Sequence, residues 1–212
     1  MRDRIPWTLV QPDTRLVIEG SPRCGNTYAV AAFRVANGTL GVTNGTGGLA
    51  HHTHAPANVF RALRLGVPTL VLIREPEAAA LSHAIYTPGH TVEDALRDYI
   101  AFYRTVLPRR DEVVVAGFEQ LTSDFGEVIE AVNERFGTAF RRYDPTPQNE
   151  ARARQILDRW ARDEQGNVDE NAVARPSDRR RARIEALRPK MQEPRARKLL
   201  ADARDLYRRF TG

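Results

Sequence analysis

At 212 residues, with 42% hydrophobic and 28% charged side chains, the chain has the composition of an ordinary globular domain large enough for one core. One cysteine, Cys24, excludes an internal disulfide and a multi-cysteine zinc site, and no apolar run reaches the ~18 residues that a membrane span requires. The net charge of +5 is uneven: residues 1–150 carry 15 Lys and Arg against 17 Asp and Glu, whereas residues 151–212 carry 17 against 10.

Residues 1–14 read as an irregular lead-in without a secretory apolar core, so a cytoplasmic location is expected. Leu16, Val17 and Ile18 then form a short buried strand that ends at Gly20, with Pro22 in the turn. From about Asn26 the pattern becomes helical to about Asn37. A strand feeding a helix through a tight loop aims backbone N–H groups and the positive end of a helix dipole at one point, where an anion such as phosphate binds. Gly20, Gly25 and Thr27 fit G-x-x-x-x-G-K-[ST] except that Asn26 replaces the lysine; the cation is instead Arg23, inside the loop. Cys24 in such a loop is expected to have a lowered thiol pKa. A C-x5-R phosphatase is nonetheless excluded, because Val30 stands where its arginine would be.

Residues 37–50 are glycine-rich and read as a loop near the site, with Asn37-Gly-Thr and Asn44-Gly-Thr as turn chemistry rather than glycosylation sites. His51, His52 and His54 follow, in HHTHAP. Three histidines so close can also bind a metal, a weaker reading than a base role for His54, since no carboxylate motif accompanies them. Pro56 opens a helix to about Leu65, stopped by Gly66. Val67–Ile73 is a second buried strand; it ends at Arg74-Glu75-Pro76, and a helix resumes through Ala78–Ala84. Thr91 and Asp94 form a capping box for a helix with Leu96, Ile100, Tyr103 and Leu107 on one face. Glu112–Gly117 is a third strand, and Ser123 or Asp124 starts a helix that stops at Gly137. Beyond Pro147, residues 150–163 and 195–210 read as helices, and residues 164–178, without strong periodicity, as the candidate mobile loop.

Strands alternating with helices imply an α/β fold, a three-layer, P-loop-like parallel sheet flanked by helices. The chain reads as one domain, 1–212, with a nucleotide-binding core over 15–147 and a helical, basic C-terminal part over 148–212. In such a sheet the loop at 20–27 and the segment after Ile73 open onto the same edge. Arg74 and Ser82, on a helix starting near Pro76, can then converge on one anion, Arg74 as a fork and Ser82 as a hydroxyl donor.

These pieces resemble the nucleotide-dependent sulfotransferases, which use the donor PAPS. SPRCGNT looks like their 5′-phosphosulfate loop, REPEAAALS like their 3′-phosphate segment, HTHAP like the segment that supplies their catalytic base, and GFEQL like a stretch that follows a strand. The four occur in the family's order across residues 15–137. The resemblance implies that Arg23, Cys24, Gly25, Asn26, Thr27 and Tyr28 lie on the 5′-phosphosulfate, with Arg23 also catalytic. It implies that Arg74 and Ser82 hold the 3′-phosphate, that Phe118 lies near the adenosine, and that His54 takes the acceptor's proton. His52 stands where the cytosolic branch often has lysine, so charge stabilisation there becomes weaker or pH-dependent. The family's C-terminal R-K-G-x-x-G signature is absent, with Arg175 and Arg180 as substitutes for that clamp. Adenosine 3′,5′-bisphosphate is the implied product, a small molecule or glycan the acceptor, and neither a metal nor nucleic acid is expected. Two other functions stay open: a P-loop kinase or NTPase with a displaced cation, and a non-catalytic anion-binding module that uses the basic tail.

Overall fold

The computed structural model describes residues 9–38, 48–170 and 172–212. Most of the expected lead-in and most of the glycine-rich 37–50 loop, including Asn44, lie outside the described residues. The fold is mixed α/β, with a four-stranded parallel sheet flanked by helices. Strand β1 (Leu16–Gly20) is fully buried and leads through residues 21–25 into α1 (Asn26–Asn37). It pairs with β2 (Leu49–His51) on one side and β3 (Thr69–Ile73) on the other, and β3 pairs with β4 (Val114–Gly117). The order β2-β1-β3-β4 is parallel throughout, so the loops after β1, β2, β3 and β4 share one edge.

Helix α2 (Pro56–Arg64) opens with proline at its first turn. Helix α3 (Pro76–Tyr86) begins two residues after Arg74, and α4 (Val92–Val106) has the Thr91/Asp94 capping box that its sequence predicts. Right-handed crossovers place α2 and the α3–α4 pair on one face, and α4 packs there on α2 and on α9 (Pro194–Thr211). On the other face α1 packs on α7 (Pro147–Trp160), and Phe33 of α1 meets Phe140 edge to face. A short α5 (Phe118–Ser123) precedes α6 (Phe125–Phe136), which Asp124 caps and left-handed Gly137 ends. An α8 (Asp178–Leu187) lies before the last helix.

Three of these elements differ from the sequence reading. β2 has only three residues, too few for a periodicity; α5 is a six-residue turn of helix; and α8, DRRRARIEAL, buries no residue and so shows no apolar stripe. The 164–178 stretch is not a free loop. Val173 in it is fully buried, and Arg162 and Val168 form an isolated antiparallel bridge. No helix among the described residues is long and apolar enough to cross a membrane.

Candidate functional site

The shared edge holds a cavity of about 550 Å³, within the size range of small-ligand sites. The loop between β1 and α1 forms its floor. A Cβ at Gly20 would lie 2.5 Å from the Leu72 carbonyl oxygen, so β1 and β3 approach too closely there for any side chain. Gly25 has φ 99°, and a Cβ on it would lie 2.4 Å from Leu121 Cδ2. α1 starts without a side-chain cap or an acidic residue in its first turn, which leaves its first N–H groups and its positive dipole end open to an anion.

Arg23 sits in the left-handed region (φ 67°). Its Nε–H donates to Ser82 Oγ at 3.1 Å, one Nη1–H donates to the Ala172 carbonyl at 3.3 Å, and its guanidinium lies 4.8 Å from the Tyr86 ring centroid. Arg74 donates from Nη1 to the Arg23 carbonyl at 3.3 Å and stacks 4.0 Å above the Phe118 ring. Arg180 donates to the carbonyls of Val173 and Arg175. Arg23, Arg74 and Arg180 all line the cavity, and none has a carboxylate at ion-pair distance among the described residues. Burial, and then repulsion from Arg180, pulls the Arg23 pKa down to about 10; burial likewise lowers Arg74 and, with Arg74's charge, Arg180.

The HTHAP segment is fixed by a carboxylate that sequence reasoning passed over. Glu19, the fourth residue of β1, is fully buried. Its Oε1 accepts from the Thr53 amide at 3.0 Å, the Thr53 hydroxyl at 2.6 Å and Asn58 Nδ2 at 3.0 Å; its Oε2 accepts from the His54 amide at 3.1 Å. The signal was present as one acid inside a buried apolar strand, a place where a charge persists only if it is hydrogen-bonded. The His54 ring donates from Nδ1 to the Gly20 carbonyl at 2.7 Å. A carbonyl only accepts, so Nδ1 carries the proton, and in the neutral ring the lone pair then sits on Nε2, the tautomer a general base needs.

His52 Nε2 lies 3.0 Å from Thr27 Oγ1, and His51 Nδ1 lies 2.8 Å from His52 Nδ1. Burial holds His51 at about 3 and His52 well below its ordinary value, so both are neutral near pH 7. His52 therefore supplies no cation in place of a lysine. Both His52 ring nitrogens, His51 Nδ1 and His54 Nδ1 face protein partners, and among the described residues the three histidines do not bring one ligand atom each within 4.8 Å of one another as a set. Arg23, His52 and His54 are the non-glycine residues with positive φ among the described residues, and all three line the cavity. Such strain gathers where a site dictates the backbone.

The structure brings Arg23, Gly25, Asn26, Thr27, Tyr28, His54, Arg74, Ser82, Phe118, Arg175 and Arg180 to the cavity wall. Cys24 departs from expectation. Its thiol is turned into the core, 3.2 Å from the Tyr103 hydroxyl, and burial pushes it up to about 11 rather than down. Cys24 does not line the cavity. Arg175 and Arg180 differ in kind: Arg175 is neutralised by Asp158 at 2.8 Å and Glu170 at 3.1 Å, whereas among the described residues Arg180 bonds to carbonyls alone. Opposite the arginines, the Tyr28 and Tyr143 hydroxyls both donate to Glu150 Oε1, at 3.4 and 3.3 Å, near Trp160 and Leu157.

No family model matches the sequence, and no curated protein matches it. Among solved structures, the fold is similar to the crystal structure of mouse sulfotransferase SULT7A1 complexed with PAP. That likeness has a TM-score of 0.48 at 12% identity and covers 94% of this chain and 91% of that one.

Proposed function

We propose that the chain is a sulfotransferase that moves a sulfuryl group from PAPS to a hydroxyl acceptor, or less readily to an amine. One observation carries this reading: one cavity collects an uncapped helix N-terminus, Arg23, Arg74 and Arg180 without a carboxylate at ion-pair distance among the described residues, and a histidine whose Nδ1 faces a carbonyl. Three arginines in one cavity suit a ligand with two anionic groups. Arg23 and the 25–28 backbone suit a 5′-phosphosulfate, and Arg74, Ser82 and Arg180 suit a 3′-phosphate. Phe118, already covered on one face by Arg74, offers an aromatic edge to the adenine.

The reaction then follows from charge. The acceptor oxygen attacks sulfur in line while the S–O bond to the 5′-phosphate breaks, and negative charge builds on that bridging oxygen. Arg23 and the α1 N-terminus lie where this charge grows, so they stabilise the transition state more than the ground state. His54 Nε2 takes the proton released by the hydroxyl. The wall of Tyr28, Leu157 and Trp160 suits a small, partly apolar acceptor.

The decisive measurement is calorimetric binding of adenosine 3′,5′-bisphosphate against ADP, with Arg74→Ala beside the wild type. Tight bisphosphate binding, weaker ADP binding and an Arg74→Ala loss of about 100-fold are expected, since a charge-assisted pair is worth ~2–3 kcal/mol. Equal affinity for the two nucleotides would remove the 3′-phosphate assignment and favour a kinase.

A further inference from the structure

A second group of ligating side chains lies outside the cavity, where α3 turns into α4. His83 is on the last turns of α3, His90 is in the connecting turn, and Asp98 is on the second turn of α4. The turn is built for close approach: Gly89 takes φ 80°, and the His90 amide donates to the Thr87 carbonyl at 3.1 Å. His90 Nε2 lies 3.1 Å from Asp98 Oδ2, and His83 Nδ1 lies 3.9 Å from the same oxygen. All three ligand atoms fall within 4.8 Å of one another, and the two imidazole centroids are 4.9 Å apart.

We propose that His83, His90 and Asp98 form a zinc site that staples the end of α3 to the start of α4. Tetrahedral zinc with bonds of about 2.0–2.1 Å sets its ligand atoms roughly 3.4 Å apart, and the two distances to Asp98 bracket that value. Two imidazoles and one carboxylate suit zinc rather than magnesium or calcium, which need a shell of oxygens. His83 is almost fully buried and anchors the site from inside, while His90 and Asp98 are partly open to solvent, leaving water as the fourth ligand. His83 follows Ser82 directly, and Tyr86 is one turn further on the same helix. Zinc binding therefore also steadies the cavity wall that holds Arg23. The site does not depend on what the cavity binds.

The test uses the full chain stripped of metal by a chelator. Zinc is titrated against a chromophoric competitor near neutral pH, and cobalt is added separately for its visible absorption. One equivalent of zinc, an intense tetrahedral-type cobalt band, and a Tm rise of about 5–10 °C at 100-fold excess over Kd are expected for the wild type. His90→Ala and Asp98→Asn, both at partly exposed positions, should each weaken zinc at least tenfold and lose the cobalt band, while melting like the wild type in chelator. Absence of stoichiometric zinc binding would overturn the proposal. So would unchanged affinity in both variants, which would place the ion elsewhere.

Discussion

Glu19→Gln isolates the carboxylate that shapes the site. The amide is isosteric, so packing within β1 is preserved and only the hydrogen-bond pattern changes. Its oxygen can still accept from the Thr53 amide, the Thr53 hydroxyl and Asn58, but its NH₂ must then face the His54 amide, donor against donor. One buried N–H loses its acceptor, at about 1–3 kcal/mol, and the other bonds lose charge assistance. Together these amount to roughly 3 kcal/mol, or a Tm drop of about 6–12 °C for a domain of this size. Scanning calorimetry of wild type and variant reads the difference directly. A drop below about 1 °C would refute the claim that Glu19 is the organising group, because it would show that those donors find other partners at no cost.

Three further outcomes follow from the same geometry. His54→Asn should lower turnover by about 10²–10⁴-fold while leaving bisphosphate affinity within a few-fold, as single-turnover kinetics beside calorimetry would show; a matched loss of both would make His54 a binding residue. Cys24 should resist a thiol reagent in the native protein at pH 8 and react fully in denaturant, since burial holds its thiol up at about 11; rapid native labelling would contradict the inward-turned loop. His51 and His52 are neutral when folded, His51 with a pKa of about 3, and both revert to about 6.5 when unfolded. The unfolded chain then binds more protons, so stability is full above pH ~6.5 and falls as pH drops toward 3, by up to ~1.4 kcal/mol per unit for each histidine. Urea unfolding that gave equal stability at pH 7 and pH 5 would refute their burial as neutral rings.

Much of the architecture was legible because its signals are local. The buried run at Leu16–Ile18, the capping box at Thr91 and the stops at Gly66 and Gly137 each depend on a few neighbouring residues. Arg23, Thr27, Arg74 and Ser82 were legible as neighbours for the same reason, since each follows a buried strand whose end the parallel sheet brings to one edge, and all four line the cavity; His54, after the three-residue β2, was singled out only by the HTHAP resemblance. What could not be read is side-chain direction inside a turn. Left-handed backbone at Arg23 and Gly25 swings the intervening Cys24 into the core against Tyr103, and no spacing rule shows this. Tyr103 itself was read as helix packing. In the fold its hydroxyl also donates to the Leu72 carbonyl at 2.6 Å and accepts from the Ser21 amide at 3.3 Å, tying the loop to β3. Glu19 was lost because an apolar strand pattern treats a single acid as an exception, although its burial among donors is what fixes His54.

The basic tail also takes on a structural meaning that its composition alone did not give. Several of its arginines are matched: Arg188 pairs with Glu77 and Glu185, Arg204 with Glu75 and Glu77, and Arg175 with Asp158 and Glu170. The pairs to Glu75 and Glu77 dock α9 and the end of α8 onto α3, those of Arg175 tie the 164–178 stretch to α7, and being largely exposed they contribute little individually. Arg180 has another place. It reaches the cavity and donates to carbonyls, and beyond the effect of burial its charge and that of Arg74 lower the proton affinity of Arg23, while that of Arg74 lowers its own. A cluster of like charges in a half-buried cavity lowers stability unless something compensates it. Backbone carbonyls compensate in part, and an anion would do so fully. Part of the tail's charge thus goes into ion pairs that hold helices, and Arg180 adds a cation to the cavity, which ties the C-terminal part to the same site as the loop after β1.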